Sequence, residues 1–372
     1  MDLRLTEEQE IMKQGARDFL AMECTKLARE EMINSREGYS RGVWKKMADL
    51  GWTGLLFPQK YGGIGGSFLD LMVLLEEIGR VGLPGPFFST VILSGLTILK
   101  AGSEVQKQEF LPRISEGELV VTLALSEPET EYSPAEMVTR AEPVGDNYSI
   151  NGTKLFVPYA HVAQHIIVVT RTQEDGITLF LLDSNRAGLN IAVIDSIARD
   201  KQCEIAFNKV QASTGDILGE LRQGWKYMES VLQQAAIAKC AEMLGGAQRV
   251  LEMAVDYAKE RKQFERHIGS FQAIQHYCAN MLVSVETSRL ITYEAATMVS
   301  QGIPCRKEAA MAKAWTSQAY RRVTALGHQI LAGLGFIEDH ELPLYSRQAK
   351  AAEINFGDAN FHTGIIAREL GL

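Results

Sequence analysis

Arg261 is the clearest candidate for anion recognition, because it lies at the end of a long helix predicted over 225–261. A guanidinium donates two parallel hydrogen bonds to phosphate oxygens, so this residue suits a diphosphate. A solvated cation at the end of a helix is the alternative. Lys239 and Glu242 lie one turn apart on the same predicted helix. An ion pair of Glu242 with Lys239 or Arg249 is one interpretation of this spacing.

Other residue types that form sites do not cluster in the sequence. The five cysteines are scattered and include no C-x-x-C pair, so neither a disulfide framework nor a metal site is predicted. Four glycines lie within 58–66. Their spacing fits neither a Walker loop nor a dinucleotide-binding fingerprint, so a structural turn is favoured over a phosphate cradle.

The composition is that of a globular protein large enough for two or three domains. The chain has 372 residues, of which 46% are hydrophobic and 23% charged. The net charge of −8 disfavours a nucleic-acid binder. The first residues form no apolar signal segment, and no apolar run approaches the roughly 20 residues that span a bilayer. We therefore expect no membrane insertion, and a cytoplasmic protein with reduced thiols.

The hydrophobic periodicity divides the chain into three segments. Residues 1–117 are predicted to be helical, with amphipathic stretches at 27–32 and 69–81. Residues 118–222 contain short β-branched runs between turns, which predicts a small antiparallel β-barrel. Residues 223–372 contain long helical periods separated by Gly and Pro, which predicts a four-helix bundle over 225–261, 269–301, 306–334 and 340–355. The predicted fold class is α+β and mostly α.

Two motifs in the central segment resemble elements of a known family. Leu125-Ser126-Glu127-Pro128 is similar to the T-E-P element of the acyl-CoA dehydrogenase family. Asn151-Gly152-Thr153-Lys154 is similar to that family's N-G-x-K hairpin. Each motif is short, so their order with the motifs that follow carries the resemblance.

The strongest resemblance lies in the C-terminal segment. Tyr257 to Phe264, followed by Ile268 to Gln272, resembles the family's Y-A-x-x-R-x-Q-F-G-x-P-I-x-x-F-Q. Residues 329–336 are similar to Q-I-x-G-G-x-G-F, and residues 347–350 to R-D-A-K. The order and spacing of all these motifs argue against chance agreement over essentially the whole chain.

The resemblance implies an oxidoreductase of β-oxidation type. Members are expected to be tetramers, built as dimers of dimers, with one FAD per subunit at a subunit interface. A carboxylate removes the α proton of an acyl-CoA thioester while flavin takes the β hydrogen as hydride, and an electron-transferring flavoprotein then receives the electrons. The proton is weakly acidic, so the thioester carbonyl has to be polarised and the carboxylate has to have a raised pKa.

By the same resemblance, particular residues fall where the family binds FAD. Those matching contacts to the flavin ring are Leu123, Leu125, Ser126, Phe156, Val157 and Pro158. In the family, the neighbouring subunit also contacts the pyrophosphate and adenosine. The residues at those positions here are Arg261, Phe264, Gln329 and Gly333. The remaining predicted cofactor contacts are Tyr132, Ile268, Phe271, Asp358 and Asn360. Core packing is the alternative for Phe264 and Phe271.

The sequence departs from the family where the proton is removed. Phe356 stands where the family's Y-E-G-T element carries its glutamate, and phenylalanine cannot accept a proton. Ala235 matches the base position of a minority branch, and Ala236 stands where that branch has an arginine. Glu242, about 10 Å further along the helix, and Asp358 are the remaining candidates for the base. A helix-cap or flavin contact is the alternative for Asp358.

Further departures affect the cofactor and acyl positions. Glu131 and Tyr132 replace a Gly-Ser pair, and Pro158 replaces a threonine. Glu265 places a negative charge beside the expected diphosphate, where like charges repel. Lys239 falls with Ala235 and Phe356 in the expected substrate pocket, where a cation would suit a dicarboxylyl-CoA. The alternative for Lys239 is a pair with Glu242 or a snorkelling side chain.

Two functional hypotheses follow from these matches and departures. The first is a FAD-dependent oxidoreductase acting on an acyl-CoA, with its base at an atypical position, as a homotetramer. The second is a non-catalytic subunit of a heterotetramer, which completes the FAD site of a second family subunit. Retention of Arg261 and of 329–333 with loss of the base fits the second hypothesis.

Overall fold

The computed structural model describes residues 5–128, 133–173 and 176–372. The N-terminal third is helical, as the sequence predicts. Its helices are α1 (Glu7–Glu23), α2 (Lys26–Asn34), α3 (Arg41–Asp49), α4 (Phe68–Val81), a π-helix (Phe88–Gly95), α5 (Leu96–Ala101) and α6 (Glu104–Ser115).

Local capping fixes where these helices begin. Thr6 and Gln9 form a reciprocal capping box at α1, and Ser67 and Asp70 form another at α4. Each box satisfies two backbone N–H groups that the first turn leaves without partners. Helix α4 ends at Gly82, whose φ of +62° is left-handed.

The glycine-rich loop at 58–66 is a structural turn. Backbone N–H groups of Ile64, Gly65 and Gly66 donate to the carbonyls of the segment 54–57. A side chain at Gly63 would clash with the backbone of Phe57, so only glycine permits this close approach. The loop therefore folds back on its own neighbours, in agreement with the interpretation favoured from the sequence.

The central segment forms a mixed, mostly antiparallel sheet. Its strands are β1 (Val121–Ala124), β2 (Arg140–Val144), β3 (Asn147–Pro158), β4 (His165–Arg171), β5 (Ile177–Asp183), β6 (Leu189–Ile194), β7 (Gln202–Ser213) and β8 (Ile217–Leu218). The order is β6-β7-β3-β2-β4-β5-β8, with β1 pairing β4.

The sheet differs from a purely antiparallel one at β4. Strand β1 pairs with β4 in parallel, Val121 opposite His165, and β2 meets β4 in parallel at Arg140. Parallel pairing requires a long connection, which the β2–β3 hairpin between β1 and β4 supplies. Side chains such as Ile150, Val168, Phe180 and Ile205 form the core beneath the sheet.

The C-terminal segment consists of long helices, as predicted. They are α7 (Gly224–Glu260), α8 (Gln272–Ser300), α9 (Arg306–Leu331), α10 (Leu342–Ile354) and α11 (Ala359–Glu369), with a short hairpin of β9 (Lys262–Gln263) and β10 (Arg266–His267) after α7. Helix α11 packs against α9 and adds a further helix to the four that the sequence predicts. Two glycines allow α4 and α7 to approach closely, since a side chain at Gly79 or Gly245 would clash with the backbone of the other helix.

The chain forms two compact units. One combines the segment through Glu30 with Ser67–Leu83 and Ala236–Leu372, and the other combines Glu31–Gly66 with Pro84–Ala235. The order of helices, sheet and helices along the chain agrees with the predicted fold class. The boundaries predicted at 117/118 and 222/223 stay predictions.

Candidate functional site

The loop after β1 is held by a buried ion pair. Nζ of Lys154 lies 2.6 Å from Oε1 of Glu127 and donates to the carbonyl of Leu125 at 3.0 Å. Glu127 also accepts hydrogen bonds from the backbone N–H groups of Val138 and Thr139, at 2.5 and 3.0 Å. Burial opposes ionisation of Glu127, but Lys154 and these donors outweigh it and hold the pKa of the carboxyl below its ordinary value. Burial lowers the pKa of Lys154 to about 8, against the opposing charge of Glu127.

This ion pair positions the residues predicted to contact the flavin ring. Leu123 is buried in β1, and Leu125 and Ser126 follow it. The carbonyl of Ser126 accepts from the N–H of Leu155 at 2.9 Å, which ties the loop to β3. The carbonyl of Pro158 accepts from Oγ1 of Thr122 at 2.6 Å. The predicted contact Tyr132, with Glu131, lies outside the described residues.

A bulge in β3 exposes Phe156. The register of β3 against β7 shifts between Lys154 and Val157, and Phe156 takes a left-handed φ of 53°. Since a bulge bends its strand and redirects side chains, Phe156 is 61% exposed while Val157 is 1% exposed. An exposed phenylalanine ring offers an apolar surface that a flat ligand can cover.

The hairpin after α7 groups a second set of predicted cofactor contacts. The N–H of Ile268 donates to the carbonyl of Arg261 at 2.8 Å. The rings of Phe264 and Phe271 meet edge to face at 6.1 Å, and the guanidinium of Arg266 lies 4.0 Å from the centre of the Phe271 ring. Phe264 is 85% exposed, so the core-packing interpretation is wrong for it in this chain. Phe271 is half-buried.

The remaining predicted contacts of this set are also accessible. Arg261, Gln329 and Gly333 are exposed. A side chain built at Gly333 would meet nothing within 4 Å, so the surface there is open. Glu265 is exposed beside Phe264, with a left-handed φ of 64°. The hairpin thus presents cations, an aromatic ring and one acidic residue to whatever binds it.

Neither position matched to the family's base carries a proton acceptor. Phe356 lies in the junction between α10 and α11 with a φ of 61°, and its carbonyl accepts from Nε2 of His362 at 2.9 Å. Ala235 and Ala236 are 0% and 2% exposed on α7. Asp358 is the N-cap of α11, where its Oδ1 accepts from the N–H of Phe361 at 2.8 Å. Asn360 follows in the first turn and is exposed.

Glu242 is paired with Lys239, which was the alternative to a catalytic base. Nζ of Lys239 lies 2.5 Å from Oε2 of Glu242, and their side chains are 11% and 30% exposed. Arg249 instead contacts Glu341 at 3.2 Å. The opposite charge of Glu242 weakens the argument for Lys239 as a receptor for a distal substrate carboxylate.

Sequence reasoning missed a buried lysine in the C-terminal helices. Lys313 on α9 is 0% exposed, and its Nζ donates to Oγ of Ser317 and to the carbonyls of Glu353 and Gly357. Its immediate neighbours Ala312 and Ala314 are buried too. A lysine within an alanine-rich, buried helix face is the signal that would have found it.

Comparison with known proteins matches almost the whole chain. Models of the acyl-CoA dehydrogenase N-terminal, middle and C-terminal domains match residues 6–118, 122–210 and 222–371. The 3-(aryl)acrylate reductase of Clostridium sporogenes is 32% identical, over 98% of this chain and 99% of that protein. The chain belongs to the acyl-CoA dehydrogenase family.

Two further proteins are similar over nearly their full length. Caffeyl-CoA reductase-Etf complex subunit CarC of Acetobacterium woodii is 29% identical, over 97% of this chain and 98% of that protein. A chain of the ChsE4-ChsE5 complex of Mycobacterium tuberculosis is 26% identical with a TM-score of 0.92, covering 100% of this chain and 99% of that one. Members of the acyl-CoA dehydrogenase family are flavin-dependent, and these relatives include oxidoreductases.

The described part of the chain contains neither a membrane-spanning helix nor a cluster of metal ligands. None of its helices is long and apolar enough to cross a membrane. Within 5–128, 133–173 and 176–372, three or more His, Cys, Asp or Glu side chains nowhere gather as metal ligands would.

Proposed function

We propose that the protein is a FAD-dependent oxidoreductase that acts on an acyl-CoA thioester and exchanges electrons with an electron-transferring flavoprotein. The observation that carries the proposal is that Phe156, Arg261 and Phe264, which match the family's FAD contacts, present exposed aromatic and cationic groups. Similarity over the whole chain to named reductases supports the reaction class.

The residues on both surfaces fit FAD. Phe156 and Phe264 present large exposed aromatic faces, and both have a left-handed backbone that turns the side chain outward. Arg261 is exposed, and an open surface adjoins Gly333. We propose that the set around Ser126 and Phe156 contacts the flavin ring of the chain's own FAD. We propose that the set around Arg261 contacts the pyrophosphate and adenosine of the FAD held by a neighbouring subunit. Bound FAD would supply two-electron redox chemistry, as acceptor or donor of hydride.

We propose that Glu242 is the residue of this chain that exchanges a proton with the substrate. Phe356 and Ala235 cannot exchange protons, and Asp358 is engaged as a helix cap. Glu242 is the remaining candidate, and its carboxylate would have to leave Lys239 to reach an α proton. We propose that Lys239 and Phe356 line the acyl pocket, with Lys239 holding Glu242 until substrate binds.

A second candidate function is that of a partner subunit in a heteromeric enzyme. It is favoured by one observation: among the described residues, the positions matched to the family's bases hold only Phe356 and Ala235. The similar ChsE4-ChsE5 chain belongs to a complex of two named components. In that role the chain would keep Arg261 and Gly333 to complete a neighbour's FAD site.

The two functions are separated by turnover of the purified chain. The full-length protein, reconstituted with FAD, would be assayed with a panel of saturated and unsaturated acyl-CoAs, using an artificial electron acceptor or a reduced dye as donor. The enzyme proposal predicts turnover with at least one member of the panel. FAD-containing protein without turnover in either direction, and with turnover only after addition of a second family subunit, would favour the partner-subunit function.

A further inference from the structure

Lys313 makes a complete set of hydrogen bonds inside the protein. Its Nζ donates to Oγ of Ser317 at 3.1 Å, to the carbonyl of Glu353 at 2.9 Å and to the carbonyl of Gly357 at 2.8 Å. An ammonium group has three N–H donors, so three acceptors satisfy it. Two of these acceptors are backbone carbonyls of one short segment, formed by the last turn of α10 and the junction between α10 and α11.

This junction surrounds Phe356, the residue at the family's usual base position. Glu353 lies in the last turn of α10, where backbone carbonyls have no partner within the helix. Gly357 follows Phe356 with a left-handed φ of +93°. Lys313 therefore binds the backbone on both sides of Phe356, three residues before it and one residue after it.

The backbone of Phe356 is itself strained and held from a second side. Its φ of 61° is left-handed, a conformation that is unfavourable for a residue other than glycine. Nε2 of His362 contacts its carbonyl at 2.9 Å, and Asp358 caps the helix that follows. Such strain persists where the surroundings over-determine the conformation, and it concentrates at functional positions.

The chemistry of Lys313 argues against a role in stability alone. Its acceptors are uncharged oxygens, while the carboxylate of Glu353 contacts Arg321 and Lys350 at 3.0 and 3.1 Å. Burial lowers the pKa of Lys313 to about 8, and the charge of Lys239 also lowers it, against the opposing effects of Cys240, Glu353 and Asp358. A buried cation without a carboxylate partner is an expensive way to stabilise a helix pair, because an apolar side chain would avoid its desolvation.

We propose that Lys313 is a positioning residue, which fixes the α10–α11 junction and thereby the place of residue 356 beside the acyl group. The inference rests on the proposed function, in which residue 356 lines the acyl pocket. Lys313 touches neither substrate nor cofactor in this proposal. It holds the backbone conformation at position 356, whether the residue there is a base or the phenylalanine of this chain.

Hydrogen–deuterium exchange of the full-length, FAD-reconstituted protein tests directly whether Lys313 holds the backbone of the α10–α11 junction. Lys313→Met removes the donors at similar length, Lys313→Arg keeps a cation with several donors, and Lys307→Met makes the same change at an exposed position of α9. We expect exchange in peptides covering 353–362 to accelerate at least tenfold in Lys313→Met, less in Lys313→Arg, and not in Lys307→Met. Wild-type exchange there in folded Lys313→Met would overturn the proposal. If Lys313→Met does not fold, Lys313→Gln, which keeps one amide donor group, takes its place with the same two outcomes.

A kinetic arm separates positioning from general stabilisation. In the Phe356→Glu background, adding Lys313→Met should lower kcat at least tenfold while KM stays within about twofold, with partial recovery in Lys313→Arg. An unchanged kcat would overturn the proposal. If Phe356→Glu has no activity with any acyl-CoA, the proposed function or its pocket fails, while the exchange result still decides the role of Lys313.

Discussion

Nζ of Lys154 lies 2.6 Å from Oε1 of Glu127, and their side chains are 0% and 2% exposed. The two residues belong to separate short motifs, 27 positions apart in sequence. Their pairing explains why both motifs occur together: Glu127 fixes the loop after β1, and Lys154 anchors that loop to β3 through the carbonyl of Leu125. The charge pair thus sets the backbone that is proposed to contact the flavin ring.

Breaking this pair should strongly destabilise the protein. Glu127→Gln or Lys154→Met leaves the other group buried without its ionic partner, for which a loss of about 3–5 kcal/mol in unfolding free energy is expected. The double variant should lose clearly less than the sum of the two single losses. Denaturant unfolding at neutral pH measures all three, with Glu220→Gln and Lys226→Met, an exposed pair 3.1 Å apart, as the control that changes little. Additive losses at Glu127 and Lys154 would contradict the pairing.

Thr90 offers a test of hydrogen-bond satisfaction in the π-helix. Its Oγ1 is buried and has no hydrogen-bond partner among the described residues, whereas Oγ1 of the equally buried Thr97 donates to the carbonyl of Leu93 at 2.6 Å. Thr90→Val should raise the unfolding free energy by about 1–2 kcal/mol, because it removes an unsatisfied polar group without changing shape. Thr97→Val should lower it. A loss of stability in both variants would mean that the Thr90 hydroxyl binds water or a ligand in solution.

Arg261→Ala should weaken the retention of FAD. A charge-assisted hydrogen bond to an ionised group contributes about 1.5–3 kcal/mol. Its loss should raise the dissociation constant for FAD roughly 10- to 150-fold. Lys259→Ala is the matched control, since Lys259 is an exposed cation in the last turn of the same helix. Flavin content after gel filtration and the affinity of the apoprotein for FAD measure the effect. Equal retention in both variants would return Arg261 to the role of a solvated helix-end cation.

Glu242→Gln tests the proposed base. Glutamine keeps the size of the side chain and can still meet Lys239, but it cannot take up the α proton. Turnover should fall by about 10²–10⁴-fold with FAD retained. Lys239→Met serves as a companion variant, because it removes the partner at 2.5 Å but leaves the carboxylate in place. Wild-type turnover in Glu242→Gln would assign Glu242 to the helix surface as an ion-pair partner of Lys239.

The elements with a strong local signal could be predicted from the sequence. The period of α4 and the long helices of the C-terminal segment follow from apolar spacing, and the turn at 58–66 follows from its glycines. Features that depend on distant contacts could not be predicted. The parallel pairing of Val121 with His165 and the bulge that exposes Phe156 arise from strand register, which no single segment encodes.

In the candidate site too, local motifs could be predicted from the sequence and long-range contacts could not. Matching motifs pointed to Arg261 and Phe264. The partner of Glu127, however, lies on β3, and two of the Lys313 acceptors are carbonyls of α10 and of the junction after it. Every residue has a backbone carbonyl, so the sequence does not indicate which carbonyls a lysine contacts. The proposed role of Lys313 at the α10–α11 junction therefore could not be predicted. The predicted cofactor contact of Tyr132, which lies outside the described residues, stays a prediction.

The most direct test of the proposed chemistry is an anaerobic titration of the FAD-containing protein with acyl-CoA thioesters, followed through the visible absorbance of the flavin. An acyl-CoA oxidoreductase predicts saturable bleaching by at least one saturated acyl-CoA, or, after chemical reduction, recovery of the absorbance with the matching unsaturated acyl-CoA. FAD-replete protein whose absorbance responds to no acyl-CoA in either direction would contradict the account.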